Sequence, residues 1–336
     1  MSSGTRSGTR SGTRRGVASL AVLLVLGLVG VAVYVAGRQG IGPLAPAQEC
    51  TARAGGHVVT LSTSQAENAS IIAAVAARRG LPARAVSIAL TTAYQESKLE
   101  NVTYGDSDSL GLFQQRPSQG WGTPTQVLNR YHATNAFYDA LVDVPSYQDI
   151  DITEAAQAVQ RSAYPDAYAD HEADGRTLAS ALTGYSRASF SCIVDEQHLS
   201  SQGLQADGLT ARANVVRAAM ATAYGDLPLG GFAPGGVSTG HMTGSAHYEG
   251  RAIDAFFRPV TPDNKRRGWA LAGYLVANAA RLHIEHVIFD DRIWSAGSQS
   301  GEGWRAYTPP ELTGNESPAT LAILEHRDHV HVDVWR

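Results

Sequence analysis

His329-Val330-His331-Val332-Asp333-Val334-Trp335, near the C-terminal end of the chain, alternates valine with histidine, aspartate or tryptophan at every step. A period of two is that of a β-strand, so the valines turn toward a core and both histidines share the opposite face. Arg251-Ala252-Ile253-Asp254 begins a second run of this kind. Asp254 on a neighbouring strand would therefore meet His331. His247 lies just upstream, before a short glycine-containing turn. Two histidines and an aspartate with a free fourth position are what metal-dependent peptide cleavage requires, together with a nearby base. A third β-type run, His286 to Phe289, and helices at about 210–224 and 269–281 complete the pattern. Residues 209–336 read as an α+β domain.

Working back toward the N-terminus, residues 194–208 are polar and rich in Ser, Gln and Gly, the composition of a linker. Residues 63–193 read as mostly helical. One helix is expected at about 64–79 with Gly80 as its stop, and a second opens at Pro82 and ends near Ser97. A further helix starts at Asp151, where Glu154 would complete a capping box. Breaking a glycosidic bond needs a protonated carboxylic acid beside the leaving oxygen. Glu96, in the last turn of the second helix and at the edge of its apolar stripe, suits that role. The rival reading makes it an ordinary residue of a surface helix. Asp106 and Asp108 are candidates for a second carboxylate, or simply shape the turn Gly105-Asp106-Ser107-Asp108-Ser109. Trp121 is a sugar-stacking platform or a core residue.

The N-terminus speaks to the compartment. Residues 1–16 are a basic tail containing three Ser-Gly-Thr-Arg units, and 17–37 form an uncharged apolar run that would span roughly 30 Å as a helix. Arginines ahead of it predict a cytoplasmic tail and an extracellular C-terminal part, a single-pass cell-membrane protein. A cleaved signal peptide, with Ala45-Pro46-Ala47 as its site, is the alternative, although the run exceeds the about 7–15 residues of a signal core. Residues 38–62 read as a stalk. The chain has a net charge of −4, and its five N-terminal arginines leave −9 for residues 39–336. Such an acidic body argues against nucleic acid as a partner. Cys50 and Cys192, the only cysteines, are too few for a cysteine metal site. They flank the helical region, and outside a membrane a bond between them would add about 2–4 kcal/mol; two free thiols are the alternative.

Two resemblances sharpen these readings. Ala93-Tyr94-Gln95-Glu96-Ser97, then Asn101, then Gly111-Leu112-Phe113-Gln114 resembles the soluble lytic transglycosylase and goose-type lysozyme group. The resemblance implies that Glu96 is the general acid, that Gln114 and its neighbours line a sugar groove, and that a tyrosine of Tyr164-Pro165-Asp166-Ala167-Tyr168 lies near the sugar. Ser245-Ala246-His247-Tyr248-Glu249-Gly250-Arg251-Ala252-Ile253-Asp254 resembles the signature of zinc D-Ala-D-Ala carboxypeptidases, grouped with lysostaphin-type wall peptidases. It implies zinc held by His247, Asp254 and His331, with His329 or Asp328 as the base; strand parity favours His329. Those enzymes carry an arginine upstream of the first ligand, where this chain has Ala233, so Arg251 is the substitute candidate for holding substrate. The stretch 209–336, through Gly268-Trp269-Ala270 and Ile293-Trp294, also resembles a C-terminal domain of exported actinobacterial proteins.

The expected fold class is thus multi-domain: one transmembrane helix, a mostly α lysozyme-like domain, then an α+β zinc-peptidase-like domain. The expected function is a membrane-anchored peptidoglycan hydrolase, a lytic transglycosylase or muramidase with a zinc metallopeptidase domain. A wall-binding structural protein of an envelope assembly, with one or both domains inactive, is the alternative.

Overall fold

Two strands occupy what the composition marks as a stalk. In the computed structural model, which describes residues 48–336 apart from Ala163, Glu311 and Thr313, together with Met1 and Gly4, β1 (Glu49–Ala54) and β2 (His57–Ser62) form an antiparallel hairpin around Gly55-Gly56. Cys50, Ala52, Val59 and Leu61 point into the core while their neighbours face outward, the alternation of a half-buried sheet. Its apolar residues are few and small on β1, which is why the stretch passes for a linker. β3 (Phe190–Cys192) pairs with the other edge of β1, and Cys50 and Cys192, direct register partners, are joined as a disulfide.

Helices fill the space between these strands. Ser62 caps α1 (Thr63–Arg78): its hydroxyl accepts from the Gln65 backbone while the Gln65 side chain accepts from the Ser62 backbone, leaving two fewer orphan donors at the helix start. α2 (Ala83–Ser97) follows Pro82 and stops where Lys98 and Leu99 turn left-handed. Then come α3 (Pro124–Val127), α4 (Arg130–Val142), α5 (Ile152–Gln160), a 3-10 segment Pro165–His171, and α6 (Glu172–Leu182). The capping box expected at Asp151 does not form. Instead the backbone N–H of Thr153 donates to the carboxylate of Glu172, 3.2 Å away, a tertiary partner that replaces the local one.

The second half contains α7 (Ala211–Tyr224), β4 (Leu229–Gly230), β5 (Ala252–Phe256), α8 (Pro262–Ala277), α9 (Ala279–Leu282), β6 (Ile284–Phe289), β7 (Arg292–Ser295), β8 (Arg305–Ala306), α10 (Pro318–Leu324) and β9 (His329–Val334). Its six strands run in the order β4-β5-β9-β6-β7-β8, every pairing antiparallel. β9 lies between β5 and β6. Its valines, Val330, Val332 and Val334, are buried, each worth on the order of 1.5 kcal/mol in burial. α8 covers the sheet and begins at Pro262, capped by Thr261, well before the expected start at Trp269.

The fold class and the placement expected above are corrected here. Among the described residues no helix is long and apolar enough to cross a membrane. The apolar run 17–37, on which the single-pass reading rests, lies outside the described residues, as does the basic tail apart from Met1 and Gly4. What is described is a mixed α/β fold in which Gln48–Arg336 forms one compact unit. The helical and sheet halves share a polar and apolar boundary: Asn278 donates to Ser70 at 3.0 Å, Arg281 pairs with Glu67 at 3.1 Å, and the hydroxyls of Tyr131 and Tyr274 lie 3.3 Å apart. Residues of the expected linker are also tied down. The Gln197 amide donates to the Ala280 carbonyl at 3.0 Å, and Arg212 holds the Ser200 carbonyl at 2.6 Å. On the side of β3 that faces away from β1, Trp304 and Trp294 donate to the carbonyls of Phe190 and Cys192, at 2.7 and 3.1 Å, and the backbone of Gly297 donates to Val194 at 2.7 Å.

Candidate active site

β5 and β9 bring the principal cluster together. Their register sets Asp254 directly opposite His331. His247 enters from the 3-10 turn Ala246–Glu249 that leads into β5, where Ser245 accepts from the His247 backbone at 3.4 Å. The Nε2 atom of His247 is 3.1 Å from Nδ1 of His331 and 3.2 Å from Oδ1 of Asp254, and the last two atoms are 3.1 Å apart. All three side chains are buried. Gly231 makes room for this: a Cβ there would lie 2.2 Å from Cε1 of His247. With its Nδ1 protonated, His247 donates 2.8 Å to the Gly231 carbonyl, which leaves Nε2 free to face the other two.

His331, like His247, is held from behind. Nε2 of His331 is 3.2 Å from Asp333, and Asp333 in turn lies 3.0 Å from Nδ1 of His286. Burial works against charge on His331, but the hydrogen bonds and charges of Asp254 and Asp333 prevail and push its pKa up to about 9. For Asp254, burial alone would raise the carboxyl; its hydrogen bonds to His247 and His331 outweigh this and hold it well below the carboxylate range. Among the described residues, His241, His247 and Asp254 form one group that could hold a metal ion, and Glu285, His286 and Asp333 form another. His329 stands beside the first, with Nε2 3.8 Å from Asp254 and Nδ1 2.7 Å from Asp328. Asp328 is itself paired with Nε of Arg258 at 2.6 Å. Of the two base candidates, then, His329 faces the cluster and Asp328 orients it.

A cleft of about 680 Å³ opens on this cluster. Arg251 lines it, but its guanidinium is engaged: Nε pairs with Glu249 at 2.6 Å, and Nη1 with Glu285 at 3.1 Å and with the Val334 carbonyl. It knits the start of β5 to β6 and β9. The half-exposed arginine of the cleft is Arg258, stacked 4.1 Å from the ring of Phe256. Sequence reasoning passed over it. Nor did it give a role to His241 or His286, both of which line the cleft. His286 was within reach of parity, because it faces Asp333 across the β6–β9 register; His241 sits in an irregular loop with no such signal.

The second group lies at the end of α2. Tyr168, from the 3-10 segment, donates to Oε1 of Glu96 at 2.6 Å. Burial, and then the Glu96 hydrogen bond, push the Tyr168 phenol well above its usual range, so it stays a donor. Tyr164, the other tyrosine of that stretch, is exposed. Ser97 donates to the Leu112 carbonyl at 2.7 Å and Gln160 to the Phe113 carbonyl at 2.7 Å, fastening the Gly-Leu-Phe-Gln segment beside the helix end. The Gln114 amide folds back on its own loop, 3.3 Å from the carbonyls of Tyr104 and Gly111. Asp108 binds Arg116 at 2.9 Å and the backbone of Ser118 at 2.8 Å, and the Arg116 and Ser118 hydrogen bonds draw its pKa down to about 2. Asp106 is exposed, with Ser107 at 3.5 Å.

A family model described as VldE, C-terminal domain, matches residues 205–316, about a third of the chain. The matched stretch includes His241, His247 and Asp254 and stops before His329 and His331. Among the curated proteins, no match was found. Neither the lysozyme-like nor the zinc-peptidase resemblance is met by these matches, and the likeness stands as one of residues 205–316 to that domain.

Proposed function

We propose that this chain is a peptidoglycan hydrolase whose best-supported activity is zinc-dependent cleavage of stem peptides. The observation that carries the reading is the triangle of donor atoms from His247, Asp254 and His331, 3.1–3.2 Å on a side. Tetrahedral bonds of about 2.0–2.2 Å set ligand atoms about 3.3–3.6 Å apart, so small shifts would seat an ion. Two imidazoles and one carboxylate suit zinc better than calcium or magnesium, which favour all-oxygen sets. When bound, zinc would supply Lewis acidity toward a peptide carbonyl and acidify a water. His329 would take a proton at Nε2, with Asp328 fixing the ring and stabilising the charge it acquires. Arg258, on the cleft wall, fixes Asp328 in turn.

A second activity is favoured by the Tyr168–Glu96 hydrogen bond. By engaging Oε1, Tyr168 would leave Oε2 of Glu96 to present a proton to a glycosidic oxygen. With Asp108 engaged by Arg116 and Ser118 and Asp106 exposed on its turn, we read Glu96 as a single acid, which favours internal attack by the substrate and an anhydro-sugar product over hydrolysis.

The test is mass spectrometry of soluble products after the full chain digests purified peptidoglycan with zinc present. Shortened stem peptides are expected, with anhydro-muramyl ends from the second activity. Glu96→Gln should abolish the glycan products and spare the peptide ones. Neither product class from the unaltered chain would overturn the hydrolase reading in favour of wall binding.

A further inference from the structure

Catalytic zinc sites hold the ion with three protein ligands and keep a position open, whereas structural sites close it with four. Beside the His247–Asp254–His331 triangle lies a further imidazole able to act as a fourth ligand, that of His241. His241 stacks on His247, ring centroids 3.9 Å apart and planes 19° from parallel. One of its nitrogens, with ligand atoms of His247 and Asp254, falls within a group whose members all lie within 4.8 Å of one another. The placement is built. The hydroxyl of Tyr248, the residue after His247, accepts from the His241 backbone N–H at 3.1 Å and donates to its carbonyl, so ligand and neighbouring loop are clamped by one phenol. Gly240 and Gly244 bracket His241 with positive φ, 90° and 78°, a backbone region that other residues rarely enter and that suits a hinge.

We infer that His241 is a fourth protein ligand to the metal held by His247, Asp254 and His331. The inference rests on the metal-site reading given above. It makes the folded site a closed one, in which a substrate carbonyl must displace His241, and the loop from Gly240 to Gly244 is the element that moves. His241 thereby decides between the two outcomes that this donor set permits: a latent peptidase when it is bound, an active one when it is swung aside.

The experiment loads the full chain with cobalt(II), a spectroscopic substitute for zinc, and compares it with His241→Ala and Tyr248→Phe. Affinity is read by competition with a chelator, and access to the ion by titrating azide, a small anion that enters an open position and alters the visible spectrum. His241→Ala should bind cobalt at least about tenfold more weakly and respond to azide at lower concentration than the unaltered chain. Tyr248→Phe, which keeps the imidazole and loosens its clamp, should shift azide access in the same direction by less, and it serves if His241→Ala does not fold. Unchanged affinity and unchanged azide response in both variants would overturn the fourth ligand while leaving the three-ligand site intact. If the unaltered chain binds no cobalt, the metal reading itself falls and this inference with it.

Discussion

The two candidate sites of this molecule are built in opposite ways. The His247 cluster is set on two adjacent strands of one sheet and the turn that leads into one of them; its donors are buried, and both imidazoles are backed by a second polar group. The Glu96 group hangs on the end of α2 and on loops, and most of the polar side chains around it hold the loops rather than face a substrate. The Gln114 amide returns to its own loop and Asp108 is fastened to Arg116 and Ser118; the Tyr168–Glu96 bond is the contact on which the proposed chemistry rests. A sheet fixes side chains through its register, so a few residues suffice to define a site. A loop-built site needs many residues merely to hold its shape.

That contrast can be broken most directly at His247. His247→Ala removes one of the metal's protein donors, and metal affinity should fall by more than about 100-fold, beyond what outer-shell changes cause. Elemental analysis of the purified chain checks this, and unchanged metal content would show that the cluster around β5 and β9 is not the metal site. A smaller effect is expected at Tyr168. Tyr168→Phe deletes one hydrogen bond to Glu96, and glycan turnover should drop roughly tenfold to a hundredfold, as a bond to an ionisable group implies. Because Tyr168 acts through Glu96, the pH profile of turnover should also move; a profile identical to that of the unaltered chain would reduce Tyr168 to a packing residue. The smallest effect belongs to Asp108. Its pKa is lowered from 3.8 to about 2 by Arg116 and Ser118, so its contribution to stability is present above the unfolded value and lost as pH falls through about 2. Asp108→Asn should therefore be slightly less stable near neutrality and indistinguishable at the acid end, by thermal melts across pH. A difference that persists below that pKa would mean Asp108 is not engaged as the loop geometry indicates.

The same contrast explains what could be read in advance. Val330, Val332 and Val334 announce the inner face of β9 by periodicity alone, and the register then sets Asp254 opposite His331. The end of α1 and the start of α2 are legible from Gly80 and Pro82. The hairpin 49–62 was not, because alanine, glycine and a lone cysteine make a faint alternation. Nor was the union of the two halves. Asn278 finds Ser70, and Arg281 finds Glu67, across about two hundred residues of sequence, and no local pattern encodes such a meeting. His241 belongs to the same class, being placed by a tyrosine hydroxyl rather than by a periodic element. The membrane helix was inferred from composition at 17–37, and among the described residues no helix can take that role.

The tryptophans along β3 have a consequence for how this protein can be divided. β3 is the last strand of its sheet, and an unpaired strand edge invites another chain to add on. Here the carbonyls of Phe190, Cys192 and Val194 are taken by Trp304, Trp294 and the backbone of Gly297, so the neighbouring half acts as a cap against edge-to-edge aggregation. Cutting the chain within 194–208 would uncap that edge on one fragment and leave two indole N–H groups without acceptors on the other. Fragments made at that boundary should be sticky, whereas one beginning at Gln48 keeps the edge sealed.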